Sequence, residues 1–362
     1  MPTIAYMRAH GTTDFPHHFA FFGYLEKLGI LDKYDFLLES VMDPAYCARL
    51  VRRFPQLKIL EDQSRPRRWM REVAERVGRG YRPFAYLDTF DAVCEAPGGR
   101  INEFYTKNDV FRFYPRVKRR AILFHSIEQG ALKQPSVRES VAGADLVIAR
   151  TSRSAENARG AGAKWVVDSA DIAFLEHPKR YIYKPGIATA FRLPNAGVTE
   201  EYLDRLREIV ANLEKTDTQV DFVRVEEPFG QEMIREGLGT YLRPNTGVYS
   251  DDTMYLPFLA KRDAIITSRL HTTLLSLMYG NRKILQFHIE GGTNKSVEIF
   301  NDMGIHSVPV HQRDEVTWKT VEEFLAAEPN LPEEEAAAAL DLAKSKTIKG
   351  MDAFLEWLDT IK

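Results

Sequence analysis

The stretch Asp263-Ala-Ile-Ile-Thr-Ser-Arg-Leu-His-Thr-Thr-Leu-Leu-Ser-Leu-Met-Tyr-Gly280 decides the fold class. Ala264 to Thr267 are apolar or β-branched, as in a parallel strand covered on both faces. Leu270, Leu274, Leu277 and Met278 then recur at helical spacing, and Gly280 is placed to end the helix. A buried strand running straight into a helix is the repeating unit of a doubly wound α/β sheet. Arg269 and His271 stand at the junction, where helix-start N–H groups and the macrodipole attract anions. A guanidinium and an imidazole two residues apart point to an anionic substrate and proton transfer. The plainer alternative is a solvated loop start or a capping contact.

The same alternation extends outward in both directions. Strands are predicted over Thr3–Met7, Asp35–Leu38, Lys58–Leu60, Ala92–Ala96, Arg120–Phe124, Leu146–Ala149 and Trp165–Val167. Helical patterns fall between them at Phe19–Lys27, Ala45–Arg53, Trp69–Arg76 and Ser136–Ala142. His177-Pro-Lys-Arg-Tyr-Ile-Tyr-Lys-Pro185 is basic and Pro-punctuated, which suits a linker. A second alternation follows, with predicted strands at Gly186–Arg192, Val220–Val225, Ala264–Thr267, Ile284–Phe287 and Ser307–Val310. Predicted helices there are Thr199–Glu214, Leu270–Tyr279 and Ser296–Met303. An acidic-started helix is expected after Leu331, and a last helix near Ala353–Thr360. The expected architecture is α/β with two Rossmann-like domains, an N-terminal one over residues 1–180 and a C-terminal one over 181–340. Residues 341–362 are expected to form a C-terminal helix packing back on the first domain.

A chain of 362 residues is long for one core, and 44% hydrophobic with 28% charged residues is a globular composition. A net charge of −2 provides no global basic field for nucleic acid. The basic runs Arg65–Trp69 and Arg116–Arg120 read as solvated faces, or at most as a peripheral membrane contact. No apolar run approaches the roughly 20 residues of a membrane span. Cys47 and Cys94 are too few for a disulfide framework or a zinc cluster. The expectation is a cytoplasmic protein, with association at the inner face of the membrane if the acceptor is lipid-linked.

Several ordered motifs resemble the polysaccharide pyruvyl transferase family. They are Asp91-Ala-Val-Cys-Glu-Ala-Pro-Gly-Gly99, Gly143-Ala-Asp-Leu-Val-Ile-Ala-Arg150, Val167-Asp-Ser-Ala-Asp-Ile-Ala-Phe174, Ser268-Arg-Leu-His271 and Lys295. The resemblance runs from about Asp91 to Met303. It implies a GT-B-like fold, two Rossmann-like domains facing each other across a cleft, the first on the acceptor side and the second on the donor side. It also implies transfer of the pyruvyl group of phosphoenolpyruvate onto a sugar of a glycan or glycan precursor, as a ketal with release of phosphate. No cofactor and no metal are implied, since phosphoenolpyruvate is itself the donor.

The chemistry of the residues agrees with that donor. A carboxylate and a phosphate close together need several cations, preferably guanidinium groups that bond two oxygens at once. Arg150, Arg269 with Leu270 beside it, and Lys295 fall at predicted strand ends or helix starts and are the expected phosphoenolpyruvate ligands. Ketal formation also needs protonation of the enol carbon and deprotonation of attacking hydroxyls, a role given to His271 with Arg269 as its catalytic neighbour. Each residue has a plainer reading beside this one. Arg150 could pair with Asp145 or Glu156, Lys295 could be a solvated loop lysine, and Ser296 could be a helix cap. Gly98 and Gly99 could form only a turn, and Asp168 and Asp171 could orient an arginine.

The chain departs from the family at its start, where Arg8-Ala-His-Gly-Thr-Thr-Asp-Phe-Pro-His-His18 lacks the usual asparagine. Gly98, Gly99, His10, Asp14, His125 and Glu128 are the candidate acceptor-binding residues. His10, His17 and His18 fit no standard zinc spacing and read as acceptor contacts or plain surface. Two other functions stand beside pyruvyl transfer: a GT-B glycosyltransferase using a nucleotide sugar, and a non-catalytic GT-B-like binding protein. The expected partners are a small-molecule donor and a sugar acceptor carried on lipid, nucleotide or polymer, with no nucleic acid. No feature of the chain specifies an oligomeric state.

Overall fold

The structure, a computed structural model, describes residues 1–9, 15–40, 44–60, 89–103, 119–175, 182–191, 200–222, 260–288 and 295–361. The chain divides into two compact units, Met1–Leu175 with Lys344–Lys362, and Glu176–Ala343.

The first unit is an eight-stranded sheet. Its strands are β1 (Thr3–Ala9), β2 (Asp35–Ser40), β3 (Lys58–Leu60), β4 (Ala92–Glu95), β5 (Gly98–Ile101), β6 (Arg120–Ile127), β7 (Leu146–Ala149) and β8 (Val166–Asp168). The order is β3-β2-β1-β4-β6-β7-β8, with β5 paired to β6, and each of these pairings is parallel. Buried runs such as Ala92–Glu95 and Leu146–Ala149 show no alternation, because helices cover both faces of a parallel sheet. Helices α1 (Phe15–Lys27), α2 (Pro44–Arg53), α3 (Pro135–Ala142) and α4 (Ser152–Ala161) connect the strands.

Gly98 and Gly99 are strand residues, not a turn. β5 pairs Gly98 with His125, and neither glycine has a positive φ. β6 is irregular at the same place. Its register with β7 shifts between Ile122 and His125, and Phe124 sits at φ 46. That conformation is rare for a bulky residue and carries strain on the order of 1–3 kcal/mol.

The second unit is a five-stranded parallel sheet of β9 (Ile187–Ala190), β10 (Val220–Phe222), β11 (Ala264–Thr267), β12 (Ile284–His288) and β13 (Val310–Gln312). Its order is β10-β9-β11-β12-β13. Helices α5 (Glu200–Leu213), α6 (Leu270–Met278), α7 (Lys295–Met303) and α8 (Trp318–Ala326) belong to this unit. Buried Tyr202, Leu203, Leu206, Ile209, Val210 and Leu213 pack with Ile187, Ile266 and Phe287 in its core.

One expectation is corrected here. The last strand starts at Val310, because the His306 and Ser307 N–H groups donate to Glu335 Oε1 at 2.6 and 3.0 Å instead of joining the ladder. The segment read as a linker is tied down where it is described. Lys261 N–H donates to Ile182 O at 2.8 Å, Lys184 N–H to Lys261 O at 2.9 Å, and Tyr183 Oη to Asp263 Oδ1 at 2.5 Å. The predicted helix Trp69–Arg76 lies outside the described residues.

The chain ends in one continuous helix, α9 (Glu333–Asp359). Its residues through Ala343 group with the second unit and those from Lys344 with the first. Met351, Phe354, Trp357 and Leu358 recur at helical spacing and enter the first unit's core beside Phe21, Phe22 and Tyr6. The Phe354 ring lies 5.2 Å from that of Phe21, and Tyr34 Oη donates to Leu358 O at 3.1 Å.

Candidate functional site

Each sheet has one place where the strand order reverses, and in open α/β sheets that is where ligands settle. In the second unit the chain runs from β9 to β10 on one side and returns at β11 on the other. The reversal therefore lies at the paired ends Ala190 and Thr267. The backbone there is closed by Ser268 N–H to Ala190 O at 3.0 Å and Thr267 Oγ1 to Ala190 O at 2.9 Å. The next residue is Arg269, the N-cap of α6 and only 8% exposed. Its backbone N–H donates to Thr267 Oγ1 at 3.0 Å, and its side chain makes no capping bond. An arginine is a poor N-cap, since its side chain offers the first-turn N–H groups no oxygen and its charge opposes the macrodipole. Such an end favours an anion.

The other predicted residues of this unit share that edge. Half-buried Leu270 and His271 occupy the first turn of α6, and half-buried Lys295 is the first residue of α7, which follows β12. β11 and β12 are neighbours, so two helix starts with Arg269, His271 and Lys295 stand at one sheet edge. A buried polar set missed by the sequence reading supports it. Thr273 Oγ1 lies 3.2 Å from Arg269 O and bonds Gln286 Oε1, and Gln286 Nε2 lies 3.5 Å from Ser296 Oγ. A polar Gln286 amid the apolar run Ile284-Leu-Gln-Phe287 is the signal that pointed there.

In the first unit the order reverses between β1 and β4, where Met7 pairs with Glu95. His17 and His18 follow in the first turn of α1 and are 1% and 0% exposed, so the expectation of surface histidines is corrected. The helix starts four residues earlier than predicted, which turns both rings inward. Tyr6 Oη lies 2.9 Å from His18 Nδ1, and His17 Nε2 lies 2.9 Å from Asp171 Oδ1.

Asp171 is the centre of a buried cluster. Its Oδ1 also accepts from Ala173 N–H at 3.0 Å, and its Oδ2 faces Arg150 Nη1 at 3.2 Å. Arg150 Nε donates to Ser126 Oγ at 2.6 Å. Arg150 is 4% exposed and Asp171 1%. The predicted alternatives for Arg150 are taken otherwise or not at all: Asp145 accepts from the Arg120 N–H at 2.7 Å. Among the described residues, Nη2 of Arg150 makes no hydrogen bond to protein. The helix start beside it is self-capped, Thr151 Oγ1 accepting from Ser154 N–H.

Of the candidate acceptor residues, Gly98, Gly99, His125 and Glu128 lie along the paired strands β5 and β6 and just beyond them. His125 is 1% exposed within β6. Glu128 is half-buried just beyond β6, its N–H donating to Ile101 O at 2.9 Å. Gly98 is buried and Gly99 half-buried, with Gly99 O accepting from Asn102 Nδ2 at 2.8 Å. His10 and Asp14 lie outside the described residues. Cys94 is buried and its thiol is pushed well above its usual range by burial, so it offers no nucleophile. Among the described residues no helix is long and apolar enough to cross a membrane.

Two parallel sheets, each with helices and a reversal of strand order, are the Rossmann-like halves of the GT-B fold, and the chain has that fold. No protein-family model matches the chain, and no curated protein matches its sequence. Among solved structures, the UDP-GlcNAc 2-epimerase of Neisseria meningitidis bound to UDP-GlcNAc is similar over 98% of this chain and 100% of its own. The TM-score is 0.58 at 10% identity. The Methanocaldococcus jannaschii UDP-GlcNAc 2-epimerase, in complex with UDP-GlcNAc and UDP, covers 95% of this chain and 100% of its own, with a TM-score of 0.56 at 11% identity. A UDP-glucosyltransferase from Polygonum tinctorium covers 99% of each chain, with a TM-score of 0.52 at 8% identity. At such identities the likeness is one of fold.

Proposed function

We propose that the protein is a transferase acting on sugars. Its second unit would hold a compact phosphorylated donor where α6 and α7 begin. That donor is phosphoenolpyruvate, and the product is a pyruvyl ketal with release of phosphate. The observation that carries the reading is Arg269, a buried cation at an N-cap where its own side chain makes no capping bond. A phosphate there meets first-turn N–H groups and a guanidinium, with Lys295 on the adjacent helix start. The Ser268-Arg-Leu-His271 resemblance supports the pyruvyl donor.

The reaction balances without further reagents. One sugar hydroxyl adds to C2 of the donor while its methylene carbon takes a proton and becomes methyl. A second hydroxyl displaces phosphate from C2 and closes the ketal. Two hydroxyl protons are lost, one to the methyl carbon and one to the departing phosphate. His271, in the first turn of α6, is the residue placed to carry a proton between these atoms.

A second reading is favoured by solved structures of the same fold that hold UDP-GlcNAc: the phosphate could belong to a nucleotide sugar. Ligand-induced melting shifts separate the two. Under the first reading phosphoenolpyruvate raises the melting temperature and Arg269→Ala abolishes the rise. A rise with UDP alone, and no phosphate release from phosphoenolpyruvate across a panel of acceptor sugars, would move the assignment to the second.

A further inference from the structure

We propose that His17 and Asp171 form a positioning pair for Arg150, setting its guanidinium as an anion-binding group in the first unit. The inference rests on the reading of Arg150 as a ligand-binding cation. The cluster is buried throughout: His17 at 1%, Asp171 at 1%, Arg150 and Ser126 at 4% exposed. Burying charges in this way adds little stability, because desolvation offsets the attraction, and apolar side chains of similar volume would pack as well. A cluster kept at that expense calls for another purpose.

The geometry supplies one. Arg150 is fixed on two of its three nitrogens, Nε by Ser126 at 2.6 Å and Nη1 by Asp171 at 3.2 Å. Two fixed nitrogens of a planar guanidinium fix the direction of the third, so the Nη2 edge is pre-aimed. Asp171 in turn accepts from Ala173 N–H at 3.0 Å on its other oxygen, and His17 Nε2 lies against that same oxygen at 2.9 Å as a buried ionic contact without hydrogen-bond alignment. Its backbone carbonyl accepts from Thr347 Oγ1 at 3.2 Å. His17 therefore reaches Arg150 through one carboxylate, from a helix that begins after β1. An arginine held in place loses less freedom when an anion arrives, which strengthens binding without a new contact.

The test reads Arg150 directly. With 15Nε-labelled arginine in the whole protein, the Arg150 Nε–H signal is assigned by its loss in Arg150→Met. In wild type it should be sharp and slow to exchange. His17→Met should broaden it or speed its exchange, while His17→Gln, which keeps a donor near Nε2, should restore it. Asp171→Asn provides the same reading if His17→Met does not fold. In parallel, His17→Met should weaken phosphoenolpyruvate binding about tenfold, as the buried contact that steadies Asp171 is removed. It should have no further effect in an Arg150→Met background, since both changes act on one contact. An Arg150 signal unaltered in both His17→Met and Asp171→Asn overturns the inference whatever ligand binds. A signal released by His17→Met, in a protein that never binds phosphoenolpyruvate, leaves the positioning pair intact and removes the donor instead.

Discussion

Gly350 sits inside α9, where glycine is normally a fault, and replacing it with alanine gives a test whose sign is decided by packing. In an open helix Gly→Ala stabilises by about 1 kcal/mol through helix propensity alone. A Cβ at Gly350 would lie 2.7 Å from Ser169 Oγ, 2.8 Å from Phe124 Cε1 and 3.0 Å from Ile148 Cγ2. These neighbours cannot give way easily. Ser169 Oγ donates to Lys346 O at 2.9 Å, Phe124 is held at φ 46, and Ile148 belongs to a buried strand. Overpacking of this kind costs about 1–3 kcal/mol, and three simultaneous close contacts put it near about 3. The net expectation for Gly350→Ala is destabilisation by about 2 kcal/mol, or a melting temperature roughly 4–8 °C lower. The control is Gly160→Ala in the last turn of α4, where nothing lies within 4 Å, and stability should rise by about 0.5 kcal/mol. Urea titrations followed by circular dichroism give both values. If Gly350→Ala is as stable as wild type or more so, α9 is not seated on β6 and β7 as described.

Further outcomes follow from the same contacts. His271→Ala should lower turnover of the phosphate-releasing reaction by about 10²–10⁴-fold, as for loss of a positioned acid/base, measured at saturating donor and acceptor. Trp357 is 1% exposed, and its Nε1 makes no hydrogen bond among the described residues. Trp357→Phe should therefore cost well under the roughly 3–5 kcal/mol expected of Trp357→Ala, and equal losses in urea titrations would contradict that. Asp221 lies in the second unit. Burial raises its carboxyl, but Arg262 Nη2 at 2.5 Å and Lys184 Nζ at 3.2 Å outweigh burial and hold it below the usual carboxylate range. A carboxyl lowered in the fold stabilises above its unfolded value of ~3.9, and that contribution is lost as pH falls through the lower folded value. Asp221→Asn, which strands the buried Arg262, should cost about 3 kcal/mol at pH 6, and the gap from wild type should close below pH ~3.9.

What the sequence made legible was the repeating strand–helix unit. Lys58–Leu60, Leu146–Ala149 and Ala264–Thr267 have the same bounds in the fold as in the reading, because polar or turn residues flank each apolar run. β5 was not legible, since Gly98-Gly-Arg-Ile101 carries a turn signal and becomes a strand only through its pairing with β6. α9 was read as separate pieces because Lys344-Ser-Lys-Thr-Ile-Lys-Gly350 interrupts the apolar period. Close packing, not a helix end, is what requires the glycine there. In the second unit Arg269, His271 and Lys295 were singled out by local pattern and by the family resemblance, and the structure places them where a strand gives way to a helix. In the first unit Arg150 was singled out and Asp171 was read as orienting the linker or an arginine, but the two were not matched to each other. Local distance offered Asp145 and Glu156, whereas Asp171 reaches it from beyond β8. The inward turn of His17 depended on where α1 begins, which apolar spacing from Phe19 onward did not reveal.

The places where this protein departs from the easiest way to fold are concentrated at the strand ends. Phe124 is strained one residue before His125 and two before Ser126, which holds Arg150. Arg150 and Asp171 are charges taken out of water, and Arg269 is a cation on the wrong end of a helix. Gln286 interrupts an apolar strand with an amide. Each of these lowers or fails to raise stability, and each would be replaced at little loss if packing alone mattered. Elsewhere the described sheets carry buried aliphatic runs, aromatic clusters around Phe22 and Phe354, surface ion pairs such as Arg53 with Glu26, and two further buried cations, Arg120 and Arg262. Local conflicts of sequence with fold that gather where an α/β sheet opens to ligands are what a binding site looks like before its ligand is known. An anion at α6 would relieve one of them directly, by setting negative charge against its N-terminus and the Arg269 guanidinium.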